Sequence, residues 1–357
     1  MIIKDFVLFN PKGKKPTDYV NYIDTSSVED GKLIDIQRLS DNIPSRAQRV
    51  IEEGDILISS VRPILKHNYY VSQHIKNGIA STGFIQIRAD RSKVIPQYLY
   101  YFLTEENKVK MYQTIAETSQ STFPSFNKDV IENMAFPNVS LAEQQHIVDI
   151  LGTLDEKIEN LEEINSKLQS YCIAQYQLLF SDVERVPLSN IATITMGQSP
   201  AGNTLNEQDG VIFYQGRTDF GFRYPTVRLF TTDPKRMAKA GDILLSVRAP
   251  VGDVNIASED CCIGRGIASI SSKYTSFVYY SFLNQKNDFD IYNNSGTIFG
   301  SINREGLSSF NLPASNIALI EKFESIASEM DKAILNNTIE INKLHTLKQA
   351  YLQKFFG

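Results

Sequence analysis

Arginine, lysine and amide side chains gather in two parts of the chain, and their types suit hydrogen bonding to nucleic acid rather than bond-making chemistry. In the first half Arg46, Arg49, Arg62, Lys66, His67 and Asn68 surround the phrase GDILISSVRP at Gly54 to Pro63, with Ser45 and Gln48 among them. The second half offers Gln215, Arg217, Thr218, Arg223, Arg228, Lys235, Arg236, Arg248 and Arg265 around the returning phrase GDILLSVRAP at Gly241 to Pro250. An arginine can grip guanine O6 and N7 bidentately, and Gln or Asn can do the same to adenine. Lysine neutralises phosphate, which positions without specifying. Tyr69, Tyr70, Tyr214, Phe220, Phe222 and Tyr224 interleave with the cations, a mixture that fits a groove-reading surface. Two further stretches, QSTFPSFNKD and SGTIFGSINRE, place Ser125, Asn127 and Lys128 opposite Ser301, Asn303 and Arg304 before a short helix, where phosphate could sit at the helix start. Capping alone also accounts for the Ser and Asn residues. Solvated arginines and core aromatics are the plainer reading of any single member, and Gly54, Asp55, Gly241 and Asp242 read as a turn into a buried strand. The candidate DNA contacts are Arg46, Arg49, Arg62, Lys66, His67, Lys128, Gln215, Arg217, Thr218, Arg223, Lys235, Arg236, Arg248 and Arg304.

Catalytic signatures are missing from the sequence. There is no G-x-x-x-x-G-K-[ST] loop, no G-x-G-x-x-G after a strand and no Asn/Asp-Pro-Pro-Tyr/Phe stretch of the amino-methyltransferase kind. His67, His74, His146 and His345 are scattered, without a partner at zinc spacing, and the last two fall on helix surfaces. Asp155-Glu156-Lys157 reads as a solvated helix face rather than a nuclease cluster. No catalytic residue, metal or cofactor is therefore expected on this chain.

The elements that must position these residues come in two copies. From Ser140 to Phe180 apolar residues recur at alternating steps of four and three: Ile147, Leu151, Leu154, Ile158, Leu161, then Leu168, Cys172, Tyr176 and Leu179, with Asn165 taking one turn of the stripe. That is a coiled-coil seam, and a helix of about 40 residues would be about 60 Å long. Ser140 and Glu143 match a capping box at its start. Shifted by 176 positions, Phe126 falls on Ile302, Pro137 on Pro313, Asp155 on Asp331, Lys167 on Lys343 and Phe180 on Phe356, without a gap from Pro124 to Phe180. The second helix, Asn316 to Phe356, has its seam at Phe323, Ala327, Met330, Ile334, Asn337, Ile341 and Leu344. Such duplication marks a repeated unit. The two GDIL phrases are 187 positions apart, so the second copy has lost about a dozen residues between this phrase and its end. The copies diverge where recognition chemistry would sit and agree along the helices.

Ahead of the first long helix, β-type runs at Val20 to Ile23, Asp55 to Val61, Tyr69 to Ser72 and Phe84 to Ile87 alternate with turn residues. A helix is predicted over Pro96 to Thr104, continuing after a break to about Ala116, and a short one capped by Asn127 follows. The expected fold is α+β: a mixed domain at 1–137, a long helix at 138–182, a second mixed domain at 183–313 and a second long helix at 314–357. Only antiparallel helices relate two such domains by a pseudo-twofold axis. With the axis near Glu163 and Ile339, Asn165 meets Asn337, a polar pair that sets register.

Composition agrees with two domains of real cores: 357 residues, 42% hydrophobic, net charge −5. Residues 140–180 carry seven acids and two bases, so the acidity lies in the first helix and leaves the remainder neutral. Three cysteines, two of them adjacent, form no disulfide framework, and the start MIIKDFVLFN is not a signal peptide, which points to the cytoplasm and away from membranes.

The GDILxS-x-R-x-P phrase, Gly197-Gln198-Ser199-Pro200, Gln215-Gly216-Arg217 and the Pro137 to Gln144 approach to the first helix, together with the twofold plan, resemble the specificity subunits of type I restriction-modification systems over essentially the whole chain. The second helix departs in having Leu319-Ile320 where the first has Glu143-Gln144. The resemblance implies a non-catalytic reader of double-stranded DNA, each domain contacting half of a bipartite asymmetric target and the helices fixing the spacer. It also implies two modification subunits that carry S-adenosylmethionine and methylate adenine, and restriction subunits that use ATP and Mg. The rival reading is a two-headed protein-binding scaffold on a helical hairpin.

Overall fold

The computed structural model describes residues 1–118, 124–293 and 300–357, and counts of strands and sheets are of these described residues. The chain forms two compact units, the first made of Met1–Glu159 with Ile341–Gly357 and the second of Asn160–Glu340. Each unit thus takes one mixed domain and a piece of both long helices.

In the first unit the strands are β1 (Val7–Phe9), β2 (Val20–Ile23), β3 (Val28–Glu29), β4 (Lys32–Leu33), β5 (Gln37–Leu39), β6 (Ala47–Val50), β7 (Ile56–Ser59), β8 (Asn68–Tyr70), β9 (Gly78–Ser81) and β10 (Phe84–Ala89). They build an antiparallel sheet in the order β1-β10-β7-β8 and a second sheet in the order β5-β2-β9-β6, in which β2 and β9 run parallel. Helices α1 (Pro96–Thr104), α2 (Glu106–Glu117) and α3 (Asp129–Glu132) follow, and then the long α4 (Leu141–Phe180).

The second unit repeats this plan. Its strands are β11 (Val186–Pro187), β12 (Thr193–Met196), β13 (Leu205–Asn206), β14 (Val211–Tyr214), β15 (Leu229–Thr231), β16 (Met237–Ala238), β17 (Ile243–Ser246), β18 (Val254–Ile256), β19 (Cys261–Ile263), β20 (Ile267–Ser271) and β21 (Asn311–Leu312). The order β12-β20-β17-β18 reproduces the first sheet, and β13-β15-β14-β19-β16 reproduces the second with one strand added and its β14–β19 pair again parallel. Helices α5 (Thr275–Asn284), α6 (Asp290–Asn293), α7 (Arg304–Ser308) and the long α8 (Ile317–Phe356) complete it.

The GDIL phrases do what their residue types demand. Gly54 (φ +91°) and Gly241 (φ +88°) turn with left-handed backbone into β7 and β17. The Asp55 carboxylate, fully buried, accepts from Gln86 Nε2 at 2.8 Å and from Arg88 Nε at 2.7 Å, and Asp242 accepts from Ser269 Oγ at 2.7 Å. Each acid thereby ties a turn to the neighbouring strand, β10 or β20.

Within each unit the long helices run antiparallel. In the first, Ile147 and Leu151 of α4 share a core with Leu352 and Phe356 of α8, and Lys348 pairs with Asp155. In the second, Phe180 packs on Phe323 with ring centres 5.7 Å apart, while Asn337 Nδ2 donates to Asn165 Oδ1 at 2.9 Å. The expected seam and its polar pair are both present. Phe180 and Phe356, equivalent in the repeat, each close a core at a helix end: Phe356 lies 5.2 Å from Tyr98 and Phe180 lies 4.9 Å from Phe277. Burying such a ring is worth about 1.5–3 kcal/mol.

The departure at Leu319-Ile320 has a structural answer. In the first unit buried Gln144 Oε1 accepts from Ile95 N at 2.9 Å, satisfying an open backbone donor at the start of α1. At the repeat position Ile320 is buried in the core, and the task passes one turn along α8 to Glu324, whose carboxylate accepts from Ser276 N at 3.1 Å and Phe277 N at 2.8 Å. Burial pushes the Glu324 carboxyl up, against the pull of these N–H groups.

One local expectation changes. The short helix α3 begins after Lys128 with no side-chain cap, so Asn127 is not its cap; Asn303 does cap α7, accepting from Gly306 N at 2.8 Å. At the start of α4, Ser140 Oγ accepts from Glu143 N at 3.3 Å.

Candidate nucleic-acid interface

The two domains present the same corner, built where the loop after the GDIL strand meets the segment before the short helix. In the first domain Arg62 N donates to Pro124 O at 3.0 Å and Phe126 N to Ser60 O at 3.0 Å. In the second, Ala249 N donates to Gly300 O at 2.9 Å and Ile302 N to Val247 O at 3.1 Å. A third strand of backbone joins from the loop between β9 and β10 or between β19 and β20: Ser60 N donates to Gly83 O at 3.1 Å, and Val247 N to Gly266 O at 2.9 Å. Segments far apart in sequence are thereby held side by side, each contributing exposed side chains. Residues 119–123 and 294–299, part of the loops singled out from sequence, lie outside the described residues.

On the first corner Arg62 and Lys128 are exposed, with Lys66 and His67 half-buried beside them. Arg62 (φ 47°) and Lys66 (φ 51°) both hold left-handed backbone and bracket the 3-10 turn Pro63–Leu65, whose Ile64 N donates to Gln113 Oε1 at 3.1 Å. Non-glycine residues in that region are uncommon, and they cluster at functional sites. Lys128 is paired with Glu132.

On the second corner Arg248 and Arg304 are exposed, and Arg248 bridges Ser301 through its backbone. The motif segments Gly197–Pro200, Gln215–Arg217 and Gly264–Gly266 converge here. Gln198 N donates to Ile263 O at 2.9 Å, Gly264 N to Tyr214 O at 2.8 Å and Arg265 N to Ser199 Oγ at 3.2 Å. The glycines allow the approach, since a Cβ on Gly197 would lie 2.2 Å from Gly264 O and one on Gly266 would lie 2.8 Å from Gln215 O. Exposed Gln198, Gln215, Arg217, Thr218 and Arg265 stand on this platform. Gln198 and Arg265 were outside the candidate set; the motif around Gln198 and the glycines flanking Arg265 were the available signals.

Carboxylates hold several of these cations. Arg217 is paired with Asp253, which Lys286 also reaches at 2.7 Å. Burial pulls the Asp253 carboxyl up, but the Lys286 and Arg217 bonds outweigh it and keep it below the usual carboxylate range. Buried Asp219 accepts from Gln215 N at 2.7 Å and from Arg228 Nε at 2.9 Å, shaping the turn that presents Arg217 and Thr218. A cleft of about 400 Å³ opens beside this turn, lined by Arg217, Phe222, Asp253, Asn255 and Lys286 among others.

A second group lies at the edge of the other sheet. Arg46 and Arg236 are exposed at the start of edge strands β6 and β16, their carbonyls accepting from Thr82 N at 2.8 Å and Ile263 N at 2.9 Å. Lys235 is exposed and paired with Asp233 at 2.6 Å. Arg49 is half-buried, and its Nε has no hydrogen-bond partner among the described residues.

Arg223 has to be removed from the surface set. It is 1% exposed, its Nη2 lies 2.6 Å from Asp331 Oδ1, its Nη1 donates to Tyr280 Oη at 3.1 Å and its guanidinium sits 4.2 Å from the centre of the Tyr279 ring. A side chain so enclosed reaches no base. Among the described residues no group of three or more His, Cys, Asp or Glu could hold a metal ion, and no helix is long and apolar enough to cross a membrane.

Comparison with known proteins places this arrangement. A family model described as "Type I restriction modification DNA specificity domain" matches residues 2–170 and again 181–349, once per repeat. A Methanocaldococcus jannaschii protein, provisionally named the type I restriction enzyme MjaX specificity subunit, is 29% identical over 361 residues, covering 92% of this chain and 82% of its own. The type I restriction enzyme HindI specificity subunit of Haemophilus influenzae is 30% identical over 169 residues, 47% of this chain and 37% of that protein. The crystal structure of a type I restriction-modification system S subunit from M. genitalium covers 100% of this chain and 95% of its own with TM-score 0.61 at 14% identity, a likeness of fold.

Proposed function

Because the chain belongs to the type I restriction-modification DNA specificity family, whose members recognise DNA and leave catalysis to other subunits, we propose that it reads a bipartite, asymmetric double-stranded target. Each mixed domain takes one half-site in the major groove, and the paired long helices set the length of the unspecified spacer between them. The chain directs two modification subunits that carry S-adenosylmethionine and methylate adenine, and through them restriction subunits that use ATP and Mg. The assembly works in the cytoplasm, away from membranes.

The observation that carries this reading is one frame holding two different sets of side chains. At corresponding backbone positions the first domain has Thr82 where the second has Arg265, and Arg62 where the second has Ala249, with Arg248 one place earlier. The turn after β2 is Thr25–Ser27, capped by Asp24, whereas the turn after β14 is Arg217–Asp219. Arginine favours guanine and hydroxyl groups accept either edge, so unlike corners read unlike half-sites.

Mapping methylated adenines in cells carrying this gene and its neighbours tests the reading: one split motif with two different halves is expected. A methylation pattern unchanged by deleting this gene contradicts it. The protein-scaffold alternative separates in a salt titration of the assembled complex on its target, where log K should fall by about 0.9 per neutralised phosphate. An affinity that is flat between about 50 and 200 mM salt favours the scaffold.

A further inference from the structure

We propose that Arg223 is a positioning residue, through which the C-terminal long helix holds the 215–228 loop in its DNA-reading shape without touching DNA. The inference rests on the functional reading above and concerns the second domain alone.

The loop is pinned at its middle. Exposed Gln215, Arg217, Thr218, Phe222 and Arg228 lie on either side of Arg223, which is enclosed, as are Asp219 and Pro225 of the same loop. Its guanidinium is held by Asp331 of α8 at 2.6 Å and by Tyr280 of α5, and Tyr280 Oη itself donates to Asp331 Oδ1 at 2.9 Å. Backbone ties complete the clamp: Ile256 N donates to Arg223 O at 2.8 Å, Gly221 N to Asn255 Oδ1 at 3.0 Å and Thr226 N to Asp219 O at 2.8 Å. The exposed members cannot shift independently while this anchor stands.

The first unit shows that the anchor is an addition to a shared frame. Asp155, the repeat counterpart of Asp331, accepts from Tyr101 Oη at 2.7 Å, as Asp331 accepts from Tyr280. The cation beside Asp155 is Lys348, from the long helix α8, not from a recognition loop. Both units therefore keep a Tyr–Asp latch between a domain helix and a long helix, and among the described residues only the second latch extends to a loop carrying candidate base contacts.

Removing either charge of a buried pair strands the other and threatens the fold, so the test uses Arg223→Lys, which keeps the charge but loses the planar guanidinium, and Asp331→Glu, which keeps the carboxylate but displaces it. Each full-length variant, assembled with its partner subunits, is compared with the parent on target DNA bearing single base changes in either half-site, at a temperature where circular dichroism shows it folded. The expected result is that the affinity ratio between matched and mismatched targets in the second half-site falls about fivefold or more. Penalties in the first half-site stay as they were, and so does the slope of log K against log salt. A slope reduced by about 0.9 means that Arg223 meets a phosphate itself and overturns the proposal. Equal losses in both half-sites, or unchanged discrimination, overturn it too. Failure of the parent to bind DNA with any salt dependence would instead refute the functional reading.

Discussion

Arg217 and Arg248 stand on the same corner of the second domain under different electrostatic conditions. Arg217 must leave Asp253 to reach a base, although Lys286 remains to hold that carboxylate. Arg248 is exposed at the end of β17 with its backbone paired to Ser301. Arg248→Ala is therefore expected to cost about 1–3 kcal/mol of binding at one half-site, and Arg217→Ala less, because its gain on DNA is offset by the ion pair it gives up. Binding measured on targets altered in one half at a time checks this, and equal loss at both halves contradicts the assignment. Arginine count was readable in the sequence, but which arginines face solvent was not. Arg223 and Arg217 are six residues apart in similar company, and the first is buried by an acid 108 positions away.

At the scale of elements, the long helices were legible almost to their ends because a repeating apolar stripe is local information. Ser140 to Phe180 became Leu141–Phe180, and Asn316 to Phe356 became Ile317–Phe356. Even the Asn165–Asn337 bond followed, since two copies of one seam in antiparallel register leave only one way to pair a polar residue with a polar residue. Asn165→Leu alone leaves the Asn337 amide without that partner and is expected to lower stability by about 1–3 kcal/mol. Adding Asn337→Leu should recover most of that loss while loosening register. Urea unfolding of the two variants decides; a double variant less stable than the single would show that the amides are doing something other than satisfying each other. The passage of the helix-start bond from Gln144 to Glu324 was not legible, because a donor at the head of α1 or α5 can be reached from either of two turns of the helix packed against it.

For the molecule as a whole, the proposed division of labour makes spacer and half-sites separately adjustable. A heptad inserted at matching points in both α4 and α8 keeps the seam in phase and adds about 10 Å of helix. The methylated target should then keep both half-sites and gain about 3 base pairs of spacer at 3.4 Å each. Mapping adenine methylation in cells carrying the altered gene measures this directly, and a changed half-site would contradict the separation. The acidity of the chain fits the same division: seven acids and two bases lie in residues 140–180, leaving the domains to present their cations without a net negative background.

What the sequence determined by itself was the duplication, the helices with their seam and polar pair, and the turn-and-strand role of the GDIL phrases, all of them set by neighbours in the chain or by a pattern repeated at a fixed shift. Tertiary structure alone decided that the Gly197–Pro200, Gln215–Arg217 and Gly264–Gly266 segments form one platform, that Arg223 is an internal anchor, and that Asp253 holds two cations at once. The reason is physical: a charged side chain is solvated, paired or enclosed according to what distant segments bring within a few ångströms of it, and no local periodicity encodes that meeting.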